Sequence, residues 1–268
     1  MSARVSVIMG IYNCASTLGE AVESILAQTY TDWELIMCDD GSADNTYEIA
    51  EKYRARHPEK IKLIRNEKNS GLNKTLNHCL KYAEGEYIAR MDGDDISVAE
   101  RFEKEVEFLD NNPEFSIVSC PMIYFDENGD WGKGTPIQFP QPMDFVKGTP
   151  FCHAPCMVRA EAYRKVGGYS ENEKTLRAED YYLWFCMYAL GIRGANLEEP
   201  FYKMRDDEKA YRRRTFKYAL NESYVRFTGY RMLKLPFYTH ISALRPIIVN
   251  IMPKKIYEYL HNKKQTSK

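Results

Sequence analysis

Through the first 115 residues, short runs of consecutive apolar side chains alternate with stretches whose apolar positions recur every three or four residues. Val5-Ser6-Val7-Ile8 reads as a buried strand, and Leu18, Ala21, Val22, Ile25 and Leu26 then fall on one face of a helix. Thr17 and Glu20 have the spacing of a capping box for that helix. Glu34-Leu35-Ile36-Met37 predicts a second strand, Thr46 to Arg56 a helix, and Ile61-Lys62-Leu63-Ile64 a third strand. Leu72, Leu76, Leu80 and Ala83 mark another helix, and Tyr87-Ile88-Ala89 a fourth strand. Val98, Phe102, Val106 and Leu109 predict a helix that stops before Pro113.

Strand and helix in alternation argue for an α/β fold, a mostly parallel sheet with helices on its faces. After Ser116 the alternation breaks down. Ser116 to Pro121 and Ile123 to Phe125, with Asn128-Gly129 as a turn signal, predict a smaller mixed or antiparallel portion. A helix from Glu179 to Leu190 follows, stopped by Gly191, and then a short strand near Arg193 to Leu197.

Composition is that of an ordinary globular chain: 268 residues, 44% hydrophobic and 28% charged. The net charge of −1 hides an asymmetry. From Pro200 onward there are 16 Lys or Arg against 5 Asp or Glu, so the first 199 residues carry an excess of 12 negative charges. A basic end on an acidic body suits either an anionic surface or packing against that body. No run approaches the roughly 18 apolar residues of a membrane span, and the opening residues lack a signal-peptide pattern, so a cytoplasmic location is expected. Seven scattered cysteines without a Cys-x-x-Cys read as reduced, mostly buried thiols.

In open α/β sheets, ligands bind beyond the carboxyl ends of the strands. Polar clusters stand there: Tyr12-Asn13 after the first strand, Asp39-Asp40-Gly41-Ser42 after the second and Asp92-Gly93-Asp94-Asp95 after the fourth. Three carboxylates within four residues need something positive, and a divalent cation held by one or two carboxylates and substrate phosphates fits. A solvated acidic turn is the competing reading. Glu179-Asp180 opens a later helix among Tyr181, Tyr182 and Trp184.

These motifs, with Asn69-Ser70-Gly71-Leu72, Ala83-Glu84-Gly85-Glu86-Tyr87 and Gly167-Gly168-Tyr169, resemble the family-2 glycosyltransferases of the GT-A fold from about residue 4 to about residue 205. The resemblance implies an inverting enzyme of bacterial surface-polysaccharide synthesis. It would move a sugar from a nucleotide diphosphate sugar, UDP-linked by family habit, to a saccharide acceptor, in this group a lipid-linked one. Residues 1–205 would be the catalytic domain, with a nucleotide-sugar-binding half at 1–115 and an acceptor half at 116–205; residues 206–268 would be a basic helical extension.

By the same resemblance Asp94 would ligate Mn2+ or Mg2+, and Asp92 and Gly93 would lie near the ribose or a metal-bound water. Tyr12, Asn13 and Asp40 would hold the nucleotide, and Asp180 would be the general base. Glu179, His153 and Trp184 are candidate acceptor or phosphate contacts; Arg90 and Lys74 are weaker candidates for the phosphates. Two departures from the family pattern stand out: Gly10 where many relatives have Pro, and His153-Ala154-Pro155 for a His-Pro motif. Basic and apolar residues interleave between His240 and Leu260, a pattern suited equally to peripheral attachment at the inner face of the cytoplasmic membrane and to a helical extension packed on the catalytic body or on a second subunit.

Other readings fit less well. A haloacid-dehalogenase phosphatase places its Asp-x-Asp after the first strand, and a sugar nucleotidyltransferase needs a basic, Gly-rich loop where this chain has Gly10-Ile11-Tyr12-Asn13. A nucleotide-sugar-binding protein without catalysis would lack a use for the full set of acids. No nucleic-acid recognition motif is visible, so nucleic acid is not an expected partner.

Overall fold

The computed structural model describes residues 3–205 and 215–252. The apolar runs become β1 (Val5–Ile11), β2 (Trp33–Asp39), β3 (Ile61–Arg65) and β4 (Tyr87–Asp92), longer at their carboxyl ends than the sequence pattern alone suggests. Between them run α1 (Leu18–Leu26), α2 (Thr46–Arg56) and α3 (Leu72–Leu80). A two-residue strand β5 (Ile96–Ser97) and α4 (Arg101–Asn111) follow. The later part holds β6 (Ile117–Ser119), β7 (Met122–Asp126), β8 (Gly129–Lys133), β9 (Met157–Arg159), α5 (Ala160–Val166), α6 (Glu179–Ala189), β10 (Gly194–Asn196), β11 (Tyr202–Arg205), α7 (Phe216–Met232) and α8 (Arg245–Ile251).

Seven strands form the main sheet in the order β10-β6-β9-β4-β1-β2-β3, and four form a smaller sheet, β5-β11-β7-β8. β3, β2, β1 and β4 are parallel, whereas β9 enters antiparallel to both β4 and β6. The smaller sheet is mixed, with β7 and β8 joined by the Asn128-Gly129 turn as the spacing predicts. β1 and β2 are buried on both faces, as the continuous apolar runs require of a sheet covered by helices. All seven cysteines are free thiols, and Cys38, Cys79, Cys120 and Cys156 are buried.

The capping box does not form. Thr17 turns its hydroxyl to the carbonyls of Cys14 (3.2 Å) and Gly93 (3.0 Å), while Glu20 pairs with Arg205 at 2.5 Å. Both side chains are spent on contacts distant in sequence, so the start of α1 is tied to the acidic loop after β4. Two helical edges also move inward: Ala83 lies beyond α3, and Val98 precedes α4.

The described part of the basic end packs on the body. Phe145, Tyr181 and Phe185 form an aromatic cluster, with ring centroids 4.8 Å apart for Phe145–Phe185 and 4.7 Å for Tyr181–Phe185, and Tyr230 of α7 joins it edge-on at 5.9 Å. Gly229 makes the approach possible, since a Cβ there would sit 2.3 Å from the Phe185 ring. Gly229→Ala is therefore expected to destabilise the protein by about 1–3 kcal/mol, the cost of overpacking, despite the better helix propensity of Ala. Urea unfolding checks this; a gain in stability would mean that α7 does not pack against α6 in solution. Tyr211 to Arg214 and residues 253–268 lie outside the described residues.

Candidate active site

Register alone assembles the first half of the site. Gly10 pairs with Cys38 on one side and Asp92 on the other, and Ile11 pairs with Asp39, so Tyr12, Asp40 and the Asp92 loop emerge side by side at one sheet edge. They line a cleft of about 530 Å³ together with Asn69, Ser70, Gly71 and Asn73 from the loop and first turn of α3. Tyr12 is half-exposed there.

Asn13, in a left-handed conformation, accepts the Ala43 N–H through its side chain (2.8 Å) and gives its own N–H to the Ser42 hydroxyl (3.0 Å). It ties the first two loops together and is not among the residues of the cleft wall. Asp40 is buried and accepts from Asn66 Nδ2 (2.8 Å), Ser70 N (2.8 Å) and Gly71 N (2.9 Å). Three of a carboxylate's four acceptor positions are thus used to shape the cleft wall, leaving one. Gly10 also gains a reason: a Cβ there would meet Leu72 at 3.1 Å and Thr75 at 3.2 Å, so the bare backbone lets α3 close on β1.

The acidic loop is graded by burial. Arg90, itself buried, clamps Asp92 through its two terminal guanidinium nitrogens at 2.8 and 2.5 Å. Arg90 therefore serves a carboxylate, and Lys74 is exposed on α3 outside the cleft wall. Asp95 is buried and accepts the Arg205 N–H at 2.8 Å; burial, with the charges of Asp92 and Asp94 beside it, raises its pKa to about 8. Asp94 is the exposed member, and one oxygen from each of the three acids lies within 4.8 Å of the others. Gly93 is pinned below them: its carbonyl accepts from Thr17, and a Cβ would meet Cys14 Sγ at 3.0 Å. An all-carboxylate set in which one member holds its proton for want of a counter-charge fits a hard divalent cation such as Mn2+ or Mg2+, and Asp94 is its most accessible carboxylate.

The opposite side of the cleft comes from the chain around α6. Glu179, its first residue, is buried in the wall, and among the described residues its Oε2 has no partner. Asp180 follows, half-buried behind the wall; burial first, then the neighbouring Glu179 charge, lifts its pKa to about 6, against the pull of Arg90. Such a carboxylate is ionised at neutral pH yet more basic than a solvated one.

His153 sets Nε2 2.8 Å from the Tyr169 hydroxyl, and burial holds its imidazole well below the usual range, so it is a neutral, packed group. Trp184 is wholly buried, edge-on to Phe151 at 5.4 Å. It has no surface to offer a substrate and instead packs α6, to which it belongs, against Phe151 and His153, which corrects its reading as an acceptor contact.

Several cleft residues escape the sequence reading, Thr75 of α3 among them. Asn73 and Leu176 carry no local signal of a site. Arg177 has a positive φ of 67°, which no pattern of polarity reveals. Tyr218, from α7, reaches the cleft from within the segment read as an appended tail. The excess of Tyr and basic residues there was the available hint.

Comparison with known proteins agrees with this architecture. The sequence model described as Glycosyl transferase family 2 matches residues 6–167. A putative glycosyltransferase EpsE of Bacillus subtilis is 46% identical over 97% of this chain and 94% of its own length. The UDP-Glc:alpha-D-GlcNAc-diphosphoundecaprenol beta-1,3-glucosyltransferase WfgD of Escherichia coli is 35% identical over 68% of this chain and 69% of its own. The crystal structure of S. aureus TarS 1-349 in complex with UDP-GlcNAc superposes with a TM-score of 0.72, at 20% identity, over 92% of this chain and 72% of that one.

Proposed function

The chain belongs to glycosyl transferase family 2, and from that premise we propose a metal-dependent, inverting glycosyltransferase that uses a UDP-sugar and a lipid-linked saccharide acceptor. The observation that carries the reading is the meeting, in one cleft, of the Tyr12, Asp40 and Asp92-Gly93-Asp94 loops with Glu179, the first residue of α6, which Asp180 directly follows. WfgD, by its name, takes a UDP-sugar and an acceptor on a diphosphate-linked polyprenol, which supports the donor and acceptor classes.

Asp94 would hold Mn2+ or Mg2+, which when bound supplies Lewis-acid stabilisation of the departing diphosphate. Asp92, fixed by Arg90, and the bare Gly93 backbone leave room beside it for the ribose and phosphates. Tyr12 offers a ring face to the base at the rim. On the other side Asp180 takes the proton of the acceptor hydroxyl at a carboxylate oxygen as that hydroxyl attacks the anomeric carbon from the face opposite the diphosphate, which inverts the centre.

Access to a lipid-linked acceptor is supported by the segment after α7. Phe237 is 86% exposed and Ile241 72%, with Tyr238, Leu244, Ile248 and Ile251 also bare. Arg231, Lys234 and Arg245 accompany them, and no acid occurs between Glu222 and Glu258. Apolar side chains flanked only by cations suit shallow insertion into an anionic bilayer. No helix among the described residues is long and apolar enough to cross a membrane.

Calorimetric titration of UDP, GDP, dTDP and CMP, with manganese and again with EDTA, tests the donor assignment. Binding of UDP with manganese and its loss in EDTA is the expected result. A different nucleotide would replace UDP, and no binding by any of them would remove the glycosyl-donor reading of the cleft.

A further inference from the structure

The cleft wall is strongly acidic for a site proposed to take a diphosphate. Asp40, Asp92, Asp94 and Glu179 line it, and Arg177 is the sole cation among its described residues. With Arg90 pairing Asp92 from behind, a divalent ion at Asp94 would bring the wall near neutrality, and Arg177 is then the one described side-chain cation within it to meet the two or more negative charges of a nucleoside diphosphate. Arg177 is exposed and makes no ion pair with another described residue; its guanidinium lies over the Tyr218 ring, 5.9 Å from the centroid.

Its backbone is also unusual. A φ of 67° is the left-handed region, which suits glycine and strains a residue with a Cβ. Gly167, Gly168 and Gly191 take such positions nearby, but here the chain keeps an arginine. Strain at a cleft residue is sustained where the side chain has work that glycine cannot do. The tight turn at Arg177-Ala178 is also what delivers Glu179 and Asp180 to the first turn of α6.

We propose that Arg177 is a diphosphate-binding residue, meeting the donor's phosphate oxygens from the α6 side of the cleft while Asp94 and its metal hold them from the β4 side. The inference rests on the glycosyltransferase reading and adds a residue to it. In the transfer step the bond from the anomeric carbon to the diphosphate oxygen breaks and its electron pair stays on that oxygen. The acceptor oxygen bonds the same carbon and its proton passes to Asp180. The charge that grows on the leaving oxygen is what a guanidinium, a fork of N–H donors that keeps its proton, can stabilise. Diphosphate on a lipid-linked acceptor has the same chemistry; the donor is preferred because Arg177 shares its cleft with the Asp92-Gly93-Asp94 loop.

Arg177→Gly and Arg177→Lys separate this role from a structural one. With manganese present, UDP, uridine and farnesyl diphosphate are titrated into wild type and both variants, using the base selected by the nucleotide panel if it is not uracil, and thermal unfolding is followed. Expected for Arg177→Gly are a melting temperature equal to or above wild type, UDP affinity lower by about 10- to 100-fold, and unchanged uridine affinity. Arg177→Lys should recover part of the UDP affinity. Unchanged UDP affinity in Arg177→Gly overturns the proposal; if farnesyl diphosphate binding falls instead, the ligand is the acceptor's diphosphate. Equal losses for UDP and uridine with a lower melting temperature would make Arg177 a structural residue. Wild-type protein that binds no nucleoside diphosphate overturns this inference and the donor reading together.

Discussion

Replacing Asp180 by Asn is expected to slow sugar transfer by roughly 10²- to 10⁴-fold, the usual contribution of a general base, with nucleotide affinity near wild type. The change keeps shape and removes only the ability to accept a proton. The surroundings of Asp180 suit it to proton transfer, because burial and Glu179 raise its pKa to about 6, while the Tyr181 backbone N–H and then Arg90 keep it from rising further. Because the deprotonated form is the base, kcat/KM should climb with pH through about 6 and level off above it in wild type, and Asp180→Asn should lose that limb. Near-normal transfer by the variant would place the base elsewhere, with Glu179, whose Oε2 has no partner among the described residues, the first candidate. A lost limb together with weakened UDP binding would instead mean that Asp180 shapes the donor site.

Asp94→Ala is expected to abolish the manganese-dependent part of UDP binding and to cut turnover by about a thousandfold or more. Lewis-acid stabilisation of a leaving diphosphate is worth several kcal/mol, and each 1.4 kcal/mol is tenfold in rate. The fold should survive, since the substitution takes a like charge away from beside the buried Asp95, whose proton is held partly by that charge. Calorimetry with and without EDTA reads the effect, with thermal unfolding as the control. Turnover in manganese equal to wild type would sink the metal assignment, because Asp92 is already engaged by Arg90 and Asp95 by the Arg205 backbone.

Local pattern carried the core of the fold because its causes are local. A strand buried on both faces must be apolar throughout, and β1, β2 and the helices beside them follow their runs closely; α2 spans the predicted Thr46 to Arg56. The strand-end acids were equally legible, since parallel strands bring their carboxyl ends to one edge whatever the helices do. Thr17 failed as a cap because its best acceptor, the Gly93 carbonyl, is 76 residues away. The antiparallel entry of β9 is likewise a matter of which edge is free, and three residues carry no sign of it.

Among the site residues, the chemistry of a side chain gives no account of its surroundings. Asp40 frames the cleft while binding its loops together, Asn13 binds the first two loops from outside the wall, and Trp184 and His153 are packed side chains. Arg177 and Tyr218 were invisible for different reasons. The first depends on a backbone angle, and the second on a helix that folds back after residues whose polarity suggested an appendage.

That helix changes what counts as an exchangeable piece. The match to the family model stops at residue 167, well before α7, so a chimaera built to swap acceptor preference between such enzymes would naturally be cut near residue 205. Here the cut would leave Phe185 facing water where the Gly229 notch had held it, and would strip Tyr218 from the rim of the donor cleft. A crossover that respects the physics keeps α6 and α7 from the same parent, so donor and acceptor preferences are inherited together.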